Sequence, residues 1–184
     1  MISTTVTMPS GARVFLIDKF FETELLNKVH QLFDNFNTQQ DQWANPLWTS
    51  NRFVYQGTDE KFLELKNYIQ SKTFISQLEL LLGNDTKICN IGLDLWIDLP
   101  GLGPLSPHFE NEGSIYISQI YISDRDYHSN GTTIYTDDKQ LLFQLPFRDN
   151  FGWFFDKGYT VMHGRINDVE PNNRCSVMLW YHPI

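Results

Sequence analysis

Four side chains in the second half of this 184-residue sequence have the types and spacing of a metal and carboxylate site. His108 and Glu110 are two residues apart, and His163 follows further along the chain. In a β-strand, residues two apart lie on the same face, so His108 and Glu110 could face one ion. Two imidazoles and one carboxylate with open coordination positions are a ligand set suited to non-haem Fe(II). Arg174, after His163, is suited to binding a carboxylate through two parallel hydrogen bonds.

The strand predicted to begin at Arg174 places this arginine inside the protein. Alternation puts Arg174 and Ser176 on one face and Cys175 on the other. Both faces are mostly apolar, which is typical of a strand buried between a sheet and helices. A buried guanidinium requires an anionic partner. That partner is either a bound dicarboxylate, to which Ser176 could donate a further hydrogen bond, or a protein carboxylate such as Asp94 or Asp98.

Length, charge and cysteine content restrict the class of protein. The length predicts one domain over residues 1–184, and the net charge of −8 disfavours non-specific binding to nucleic acid or anionic membranes. The first residues lack the pattern of a secretory signal, and the longest apolar runs are too short to span a membrane. Cys89 and Cys175 do not make a disulfide framework, so we expect a reducing cytoplasm.

Hydrophobic periodicity predicts helical support with an early strand in residues 1–87. Arg13–Ile17 has the pattern of the strand, and three apolar stripes at helical spacing follow it. The predicted helices begin at an N-cap Thr23, span Asp59 to Gln70, and span Phe74 to Leu82, where Gly83 ends the last one. The aromatic segment 42–57 is long for a structureless connection, so it is either functional or contains a strand.

From Ile88 onward the apolar period changes to two, which predicts a β-rich core in residues 88–184. Turn residues separate the candidate strands, and this spacing favours a sandwich or barrel. The candidates are Ile88–Ile97, Ser114–Ser123, Thr132–Thr136, Gln140–Leu145, Gly152–Phe155, Tyr159–His163 and Arg174–His182.

Several short segments occur in an order that is similar to that of a known family. They are Leu95–Gly101, Pro107–Glu110, Gln119–Ile122, Gly131–Tyr135, Met162–Gly164 and Arg174–Ser176, preceded by Val14–Phe21 before a helix. This order resembles that of the 2-oxoglutarate/Fe(II)-dependent dioxygenases. The resemblance covers almost the whole chain, and it implies a mainly β fold, a double-stranded β-helix (jelly roll) with supporting N-terminal helices.

The resemblance also implies roles for individual residues. His108 and His163 would bind iron, and Glu110 would be the third ligand where the family usually has aspartate. Arg174 would hold the distal carboxylate of 2-oxoglutarate, and Ser176 would assist it.

Other residues are weaker candidates for contacts with the cosubstrate or the substrate. Gln119, Tyr121 and Trp96 are candidates for further 2-oxoglutarate contacts, and core packing explains them equally well. Glu112 is a less favoured substitute for Glu110. The aromatic segment 43–55 and the segment 124–130 are candidate rims or lids. We expect the remaining histidines, His30, His128 and His182, to have no part in the chemistry.

The function implied by the resemblance is an oxygenase, most simply a hydroxylase. Its cofactors would be Fe(II), the cosubstrate 2-oxoglutarate and O2, with ascorbate as an additive in vitro. Its substrate would be a small molecule or an amino-acid side chain on a peptide, since the charge of −8 disfavours nucleic acid. The alternative is a non-catalytic jelly-roll module that binds metal or serves as an accessory, and a cupin-type isomerase is a third class.

Overall fold

A computed structural model describes residues 2–36, 42–45, 50–82, 88–109, 116–124, 130–155, 161–169 and 172–183. This part of the chain contains twelve strands and three helices. The helices are α1 (Thr23–Asp34), α2 (Glu60–Ile69) and α3 (Lys72–Leu82). The strands are β1 (Ile2–Thr7), β2 (Arg13–Asp18), β3 (Trp43–Ala44), β4 (Arg52–Tyr55), β5 (Ile88–Asp98), β6 (Leu105–His108), β7 (Tyr116–Ile122), β8 (Thr133–Tyr135), β9 (Leu141–Gln144), β10 (Gly152–Phe155), β11 (Met162–Arg165) and β12 (Arg174–Pro183).

The strands form two antiparallel sheets. The larger sheet has eight strands in the order β1-β2-β10-β7-β12-β5-β4-β3, and the smaller has four in the order β6-β11-β8-β9. Strands from both halves of the sequence therefore share the large sheet. The central strand β12 pairs with β7 on one side and with β5 on the other, so both of its edges are hydrogen-bonded within the sheet.

One face of the large sheet packs against the three helices. The buried apolar residues of this layer come from every helix and from alternate positions of β2, β5, β7 and β12. The helices belong here because each has one apolar stripe: Val29, Leu32 and Phe33 in α1, Leu65 and Ile69 in α2, and Phe74 and Leu78 in α3. We call this apolar cluster the helix layer.

The other face of the large sheet packs against the small sheet, and we call the space between the sheets the interior. Its apolar part includes Tyr121 of β7, Trp153 and Phe155 of β10, and Ile134 of β8. The two rings of Trp153 and Phe155 are stacked with centroids 4.1 Å apart. The sheets therefore enclose an aromatic core, and the polar residues of the candidate site lie beside it.

Most predicted elements are confirmed. The aromatic segment contains the hairpin strands β3 and β4, which is one of the two alternatives that the sequence left open, while β1 and β6 were not predicted. The N-cap of α1 is Glu22 rather than Thr23, and Glu22 makes no side-chain cap hydrogen bond. Asp59 does cap α2, accepting from the backbone N–H of Phe62 at 3.0 Å. The predicted stop at Gly83 lies outside the described residues.

A single asparagine joins the helix layer to the edge of the interior. Asn150 precedes β10 with a φ of 55°, a left-handed conformation that asparagine tolerates better than most residues. Its side chain accepts from the N–H of Phe21 at 2.7 Å and donates to the carbonyl of Phe21 at 2.8 Å. The turn before β10 is thereby fixed against the start of α1. Within the described residues, no helix is long and apolar enough to cross a membrane.

Candidate metal and anion-binding site

The two histidines predicted to bind metal lie side by side on neighbouring strands of the small sheet. His163 of β11 is directly opposite His108 of β6, and the ring centroids are 4.6 Å apart. His163 is 5% exposed, whereas His108 is partly exposed at the end of its strand. The structure therefore brings together two imidazoles that are far apart in the sequence.

Each imidazole is oriented by the backbone carbonyl of the residue two positions before it. Nδ1 of His108 is 2.8 Å from the carbonyl oxygen of Ser106, and Nδ1 of His163 is 3.2 Å from that of Val161. A carbonyl oxygen only accepts, so each Nδ1 carries the proton and donates. In the neutral ring, Nε2 then holds the lone pair, which is the tautomer that a metal-binding histidine needs.

The third predicted ligand, Glu110, lies outside the described residues, and so does its less favoured substitute Glu112. The strand β6 ends at His108, and Phe109 follows it as an exposed residue. Within the described residues, no group of three His, Cys, Asp or Glu side chains is placed to hold a metal. The assignment of Glu110 to the metal site thus stays a prediction.

His163 is packed against the aromatic core and its strand lies unusually close to β6. Its ring centroid is 5.0 Å from that of Phe155 and 5.9 Å from that of Trp153. The next residue, Gly164, allows the close approach, because a Cβ there would be 2.5 Å from the carbonyl oxygen of Leu105. His163 therefore packs against the aromatic rings of Trp153 and Phe155, and its strand packs closely against β6.

Arg174 lies in the interior, as the alternation of β12 predicted, and it is 4% exposed. Its Nη1 donates to Oδ2 of Asp98 at 3.1 Å, and its Nε donates to the carbonyl oxygen of Asn130 at 2.8 Å. Asp98 is directly opposite it on β5. Of the two protein carboxylates considered from the sequence, Asp98 is thus the partner, while Asp94 accepts from Trp180 Nε1 at 3.0 Å.

A polar network joins Arg174 to its neighbours on β7 and β8. Oε1 of Gln119 accepts from Arg174 Nη2 at 3.0 Å and from the Thr132 hydroxyl at 3.1 Å. Gln119 Nε2 donates to Ser176 Oγ at 2.9 Å, and the Tyr121 hydroxyl donates to Thr132 Oγ1 at 2.7 Å. Ser176 therefore lies beside Arg174 as predicted, and two of the three weaker candidates, Gln119 and Tyr121, belong to the same network.

The third weaker candidate, Trp96, also lies next to the cluster. It is opposite Ser176 on β5, and the guanidinium of Arg52 lies 4.2 Å from its ring centroid. Its indole Nε1 is buried and makes no hydrogen bond with the described residues. Trp96 thus packs against a charged group of the interior and carries a donor that the described residues do not use.

Two arginines of the interior were not singled out in the sequence. Arg52 of β4 binds both oxygens of Asp98, with Nε 2.5 Å from Oδ1 and Nη2 2.9 Å from Oδ2. Arg165 of β11 is buried, and its Nη2 donates to the carbonyl oxygens of Leu102 at 3.2 Å and Gly103 at 2.6 Å. Alternation from His163 could have placed Arg165 on the same face, whereas nothing in the sequence pairs Arg52 with Asp98.

These arginines control the protonation of the cluster. Burial opposes ionisation of Asp98, but hydrogen bonding to Arg52 and the charges of Arg52, Arg174 and Arg165 outweigh it, so the pKa of Asp98 is lowered. Burial, followed by repulsion from Arg174, lowers the pKa of Arg165 to about 10. At neutral pH, Asp98 is therefore an anion and Arg165 is a cation.

The candidate rims are only partly confirmed as parts of the site. Trp43 and Tyr55 are buried in the helix layer, so the described part of the aromatic segment is a packed hairpin and not a lid. Residues 125–129 of the segment 124–130, including His128, lie outside the described residues. Asn130 is buried, and its carbonyl oxygen accepts a hydrogen bond from Arg174. His30 lies on α1, far from His108 and His163 in the sequence, and its Nε2 is 3.0 Å from Oδ1 of Asp149.

No protein-family model matches the chain, and no curated protein matches its sequence. Solved structures do match. A prolyl hydroxylase from Trichoplax adhaerens, in complex with a hypoxia inducible factor peptide, is 18% identical with a TM-score of 0.67, covering 91% of this chain and 82% of that one. An oxidoreductase of the 2OG-Fe(II) oxygenase family from Burkholderia pseudomallei is 10% identical with a TM-score of 0.68, covering 91% and 83%.

A third similar structure contains ligands. HygX from Streptomyces hygroscopicus, with nickel and 2-oxoglutarate bound, is 12% identical with a TM-score of 0.64, covering 92% of this chain and 82% of that one. The same protein with hygromycin B also bound matches with a TM-score of 0.58. At these identities the similarity concerns the fold. The chain has the double-stranded β-helix fold of the 2-oxoglutarate/Fe(II) oxygenases, as its sequence predicted.

Proposed function

We propose that the protein is a 2-oxoglutarate- and Fe(II)-dependent oxygenase, most simply a hydroxylase. The observation that carries the proposal is the pair His108 and His163, adjacent across two strands and both turned by a carbonyl into the metal-binding tautomer. A pair of histidines that served packing alone would not need the same orientation at both rings. The fold shared with known oxygenases supports the same reading.

In this proposal His108, His163 and Glu110 hold the iron. With 2-oxoglutarate and O2 bound, the metal supplies an oxidative decarboxylation to succinate that is coupled to oxygen insertion into the substrate. The stacked rings of Trp153 and Phe155 keep water from one side of His163. Nε2 of each histidine would be the metal-binding nitrogen, because Nδ1 is committed to the backbone.

The residues around Arg174 fit the distal carboxylate of 2-oxoglutarate. A guanidinium has five N–H groups, and the hydrogen bonds of Arg174 to described residues use one N–H of Nη1 and leave the other for a ligand. Ser176 is next to it, bound to the Gln119 amide. Asp98 accepts a hydrogen bond from the same guanidinium. Its negative charge partly neutralises Arg174 and thereby lowers the affinity for 2-oxoglutarate.

The substrate is a small molecule or a side chain on a peptide. Structures with the same fold hold a peptide in one case and hygromycin B in another, which supports both classes. The net charge of −8 disfavours a nucleic-acid substrate, because nucleic acids are themselves negatively charged. The two cysteines support a setting in the reducing cytoplasm.

The test is succinate release from 2-oxoglutarate with Fe(II) and ascorbate, together with Fe(II) affinity, in the wild type and in ligand variants. His163→Ala and Glu110→Ala should lose release and most Fe(II) affinity, because each removes a ligand. Glu110→Asp should keep partial activity, since a ligand displaced by about 1 Å is costly. His182→Ala, at an exposed histidine, is the matched control and should behave as the wild type.

Two outcomes would contradict the proposal. Full turnover in Glu110→Ala would remove this residue from the ligand set and make Glu112 the next candidate. Absence of metal-dependent release in the wild type, together with a gain in Glu110→Asp, would identify the natural chain as a non-catalytic module of the same fold.

A further inference from the structure

In the described part of the chain, the interior contains more buried positive charge than buried negative charge. Among the described residues, three arginines and one carboxylate are buried: Arg52 is 7% exposed, Arg165 and Arg174 are 4% exposed, and Asp98 is fully buried. The whole chain, by contrast, has a net charge of −8. Buried charges are stable only when they are paired, so an excess of buried cations requires anions from elsewhere.

Asp98 is already used by two of the three arginines. Both of its oxygens accept from Arg52, and Oδ2 also accepts from Arg174 at 3.1 Å. Arg165 instead donates from Nη2 to two backbone carbonyls, those of Leu102 and Gly103. These carbonyls hold the guanidinium in place but bring no negative charge.

One nitrogen of the Arg165 guanidinium has no acceptor among the described residues. This atom, Nη1, is buried and makes no hydrogen bond with them. A buried N–H group of a cation that lacks an acceptor destabilises the fold. Within the described part of the chain, Arg165 is therefore a fixed cationic donor with one nitrogen available for a ligand.

Arg165 is also close to the histidine pair in the fold. It follows His163 by two positions in β11, so the two side chains share a face and their Cα atoms are about 7 Å apart. Gly164 between them lies against β6 on the other side. An anion bound by Arg165 would consequently lie beside the metal position.

We propose that Arg165 anchors a carboxylate of the primary substrate, at a subsite distinct from the Arg174 position that takes 2-oxoglutarate. This inference rests on the proposed function. The buried charges of the described residues are the three arginines and Asp98, while Asp168, whose charge acts on Arg165, is exposed. With iron and Glu110 added, this set is net positive, and the two charges of 2-oxoglutarate do not cancel it. One positive charge remains, which a monoanionic substrate group balances. The substrate class is therefore a carboxylated small molecule or an acidic peptide segment.

The experiment is a calorimetric titration of the full chain loaded with Mn(II), in two separate arms. The first arm titrates 2-oxoglutarate. The second arm, with and without saturating 2-oxoglutarate, titrates N-acetylglycine and its neutral counterpart N-acetylglycinamide. The variants are Arg165→Met, Arg165→Lys and, as a matched control outside the interior, Arg148→Met, whose side chain is 41% exposed.

We expect the wild type and Arg148→Met to bind N-acetylglycine more tightly than the amide. Arg165→Met should weaken binding of the carboxylate by about tenfold or more, the loss expected for one charge-assisted hydrogen bond. Its affinity for 2-oxoglutarate should change by less than about threefold, because Arg174 is untouched. Arg165→Lys keeps the charge and should retain part of the preference for the carboxylate, which also guards against a variant that fails to fold.

Three results would overturn the inference. They are equal binding of acid and amide by the wild type, unchanged carboxylate binding in Arg165→Met, and a loss of 2-oxoglutarate affinity in Arg165→Met that exceeds the loss of probe affinity. The last result would assign Arg165 to the cosubstrate. If 2-oxoglutarate does not bind the wild type, the first arm refutes the proposed function, and the second arm without cosubstrate still decides whether Arg165 selects a carboxylate.

Discussion

The two faces of β12 lie in two different environments. On the face toward the helices, Val177, Leu179 and Tyr181 are fully buried in the helix layer. On the face toward the small sheet, Arg174 and Ser176 belong to the polar network of the interior. Since successive side chains of a strand point to opposite faces, one strand supplies a hydrophobic core and a binding site at alternating positions.

This difference between the two faces of β12 indicates which region of the protein tolerates amino-acid substitutions. The helix layer is stabilised by apolar burial, so substitutions that conserve volume there should cost little. The interior contains buried charges, of which Asp98 pairs with Arg52 and Arg174. Such a cluster adds little net stability, yet removing one member leaves the others uncompensated. The site is therefore the less tolerant region even though it contributes less to the stability of the fold.

The largest effect should come from Asp98→Asn, because it removes the one buried carboxylate among the described residues while three buried arginines stay charged. We expect a loss of about 3–5 kcal/mol in the free energy of unfolding, measured by urea denaturation. The control is Asp94→Asn on the same strand, where one hydrogen bond from Trp180 is at stake. It should cost about 1 kcal/mol. Equal losses in the two variants would show that the arginines do not depend on Asp98.

A smaller loss of stability should result from removing the hydroxyl group of either of two fully buried tyrosines, one on each side of the large sheet. The Tyr121 hydroxyl in the interior accepts from Thr132 N at 2.8 Å and from Trp153 Nε1 at 3.1 Å. Tyr121→Phe leaves both donors buried without a partner, so we expect a loss of about 2 kcal/mol.

The matched substitution in the helix layer is Tyr181→Phe. Its hydroxyl makes one hydrogen bond, with Ser118 Oγ at 2.7 Å, so we expect a loss of about 1 kcal/mol. Both free energies come from the same urea titrations. A larger loss in the free energy of unfolding for Tyr181→Phe than for Tyr121→Phe would show that hydrogen bonds in the interior are not the more costly ones to remove.

Much of the site could be predicted from local patterns. The alternation of one strand predicted that Arg174 and Ser176 face the interior, and both lie there. His108 and His163 were paired through the order of motifs, and the register of β6 with β11 confirms their proximity. The placement of Arg174 and Ser176 could be predicted because strand periodicity is a local property, whereas the pairing of the two histidines depended on the resemblance to a known family.

The contacts that were missed depend on pairing between distant segments. Arg52 reaches Asp98 because β4 lies next to β5 with these two residues opposite each other. A sequence does not specify the register of strands that are separated by two helices. For the same reason Asp98 could be suggested as a partner for Arg174 but not chosen over a bound dicarboxylate, and Trp43 and Tyr55 were taken for a rim although they pack in the helix layer.

The smallest effect is a dependence of stability on pH that distinguishes the two regions. His30 of α1 is 3.0 Å from Asp149, and this hydrogen bond raises the pKa of His30 against the opposing effect of burial, with Asp34 and Asp124 adding to the increase. A raised pKa stabilises the fold fully below the unfolded value of about 6.5, and this contribution is lost as pH rises through the folded value. Asp98 behaves oppositely. Its lowered pKa makes a contribution that is present above about pH 4 and is lost only as pH falls further.

Between about pH 5.5 and 8.5, the interior contribution should therefore be constant while that of His30 declines. We expect wild type to exceed His30→Gln by less than about 1 kcal/mol in free energy of unfolding at the lower pH, because the pair is partly exposed. The difference should shrink toward zero at the higher pH. A difference that grows with pH would mean that folding lowers the pKa of His30 instead of raising it. A difference that does not change would mean that the helix layer, like the interior, contributes equally across this range.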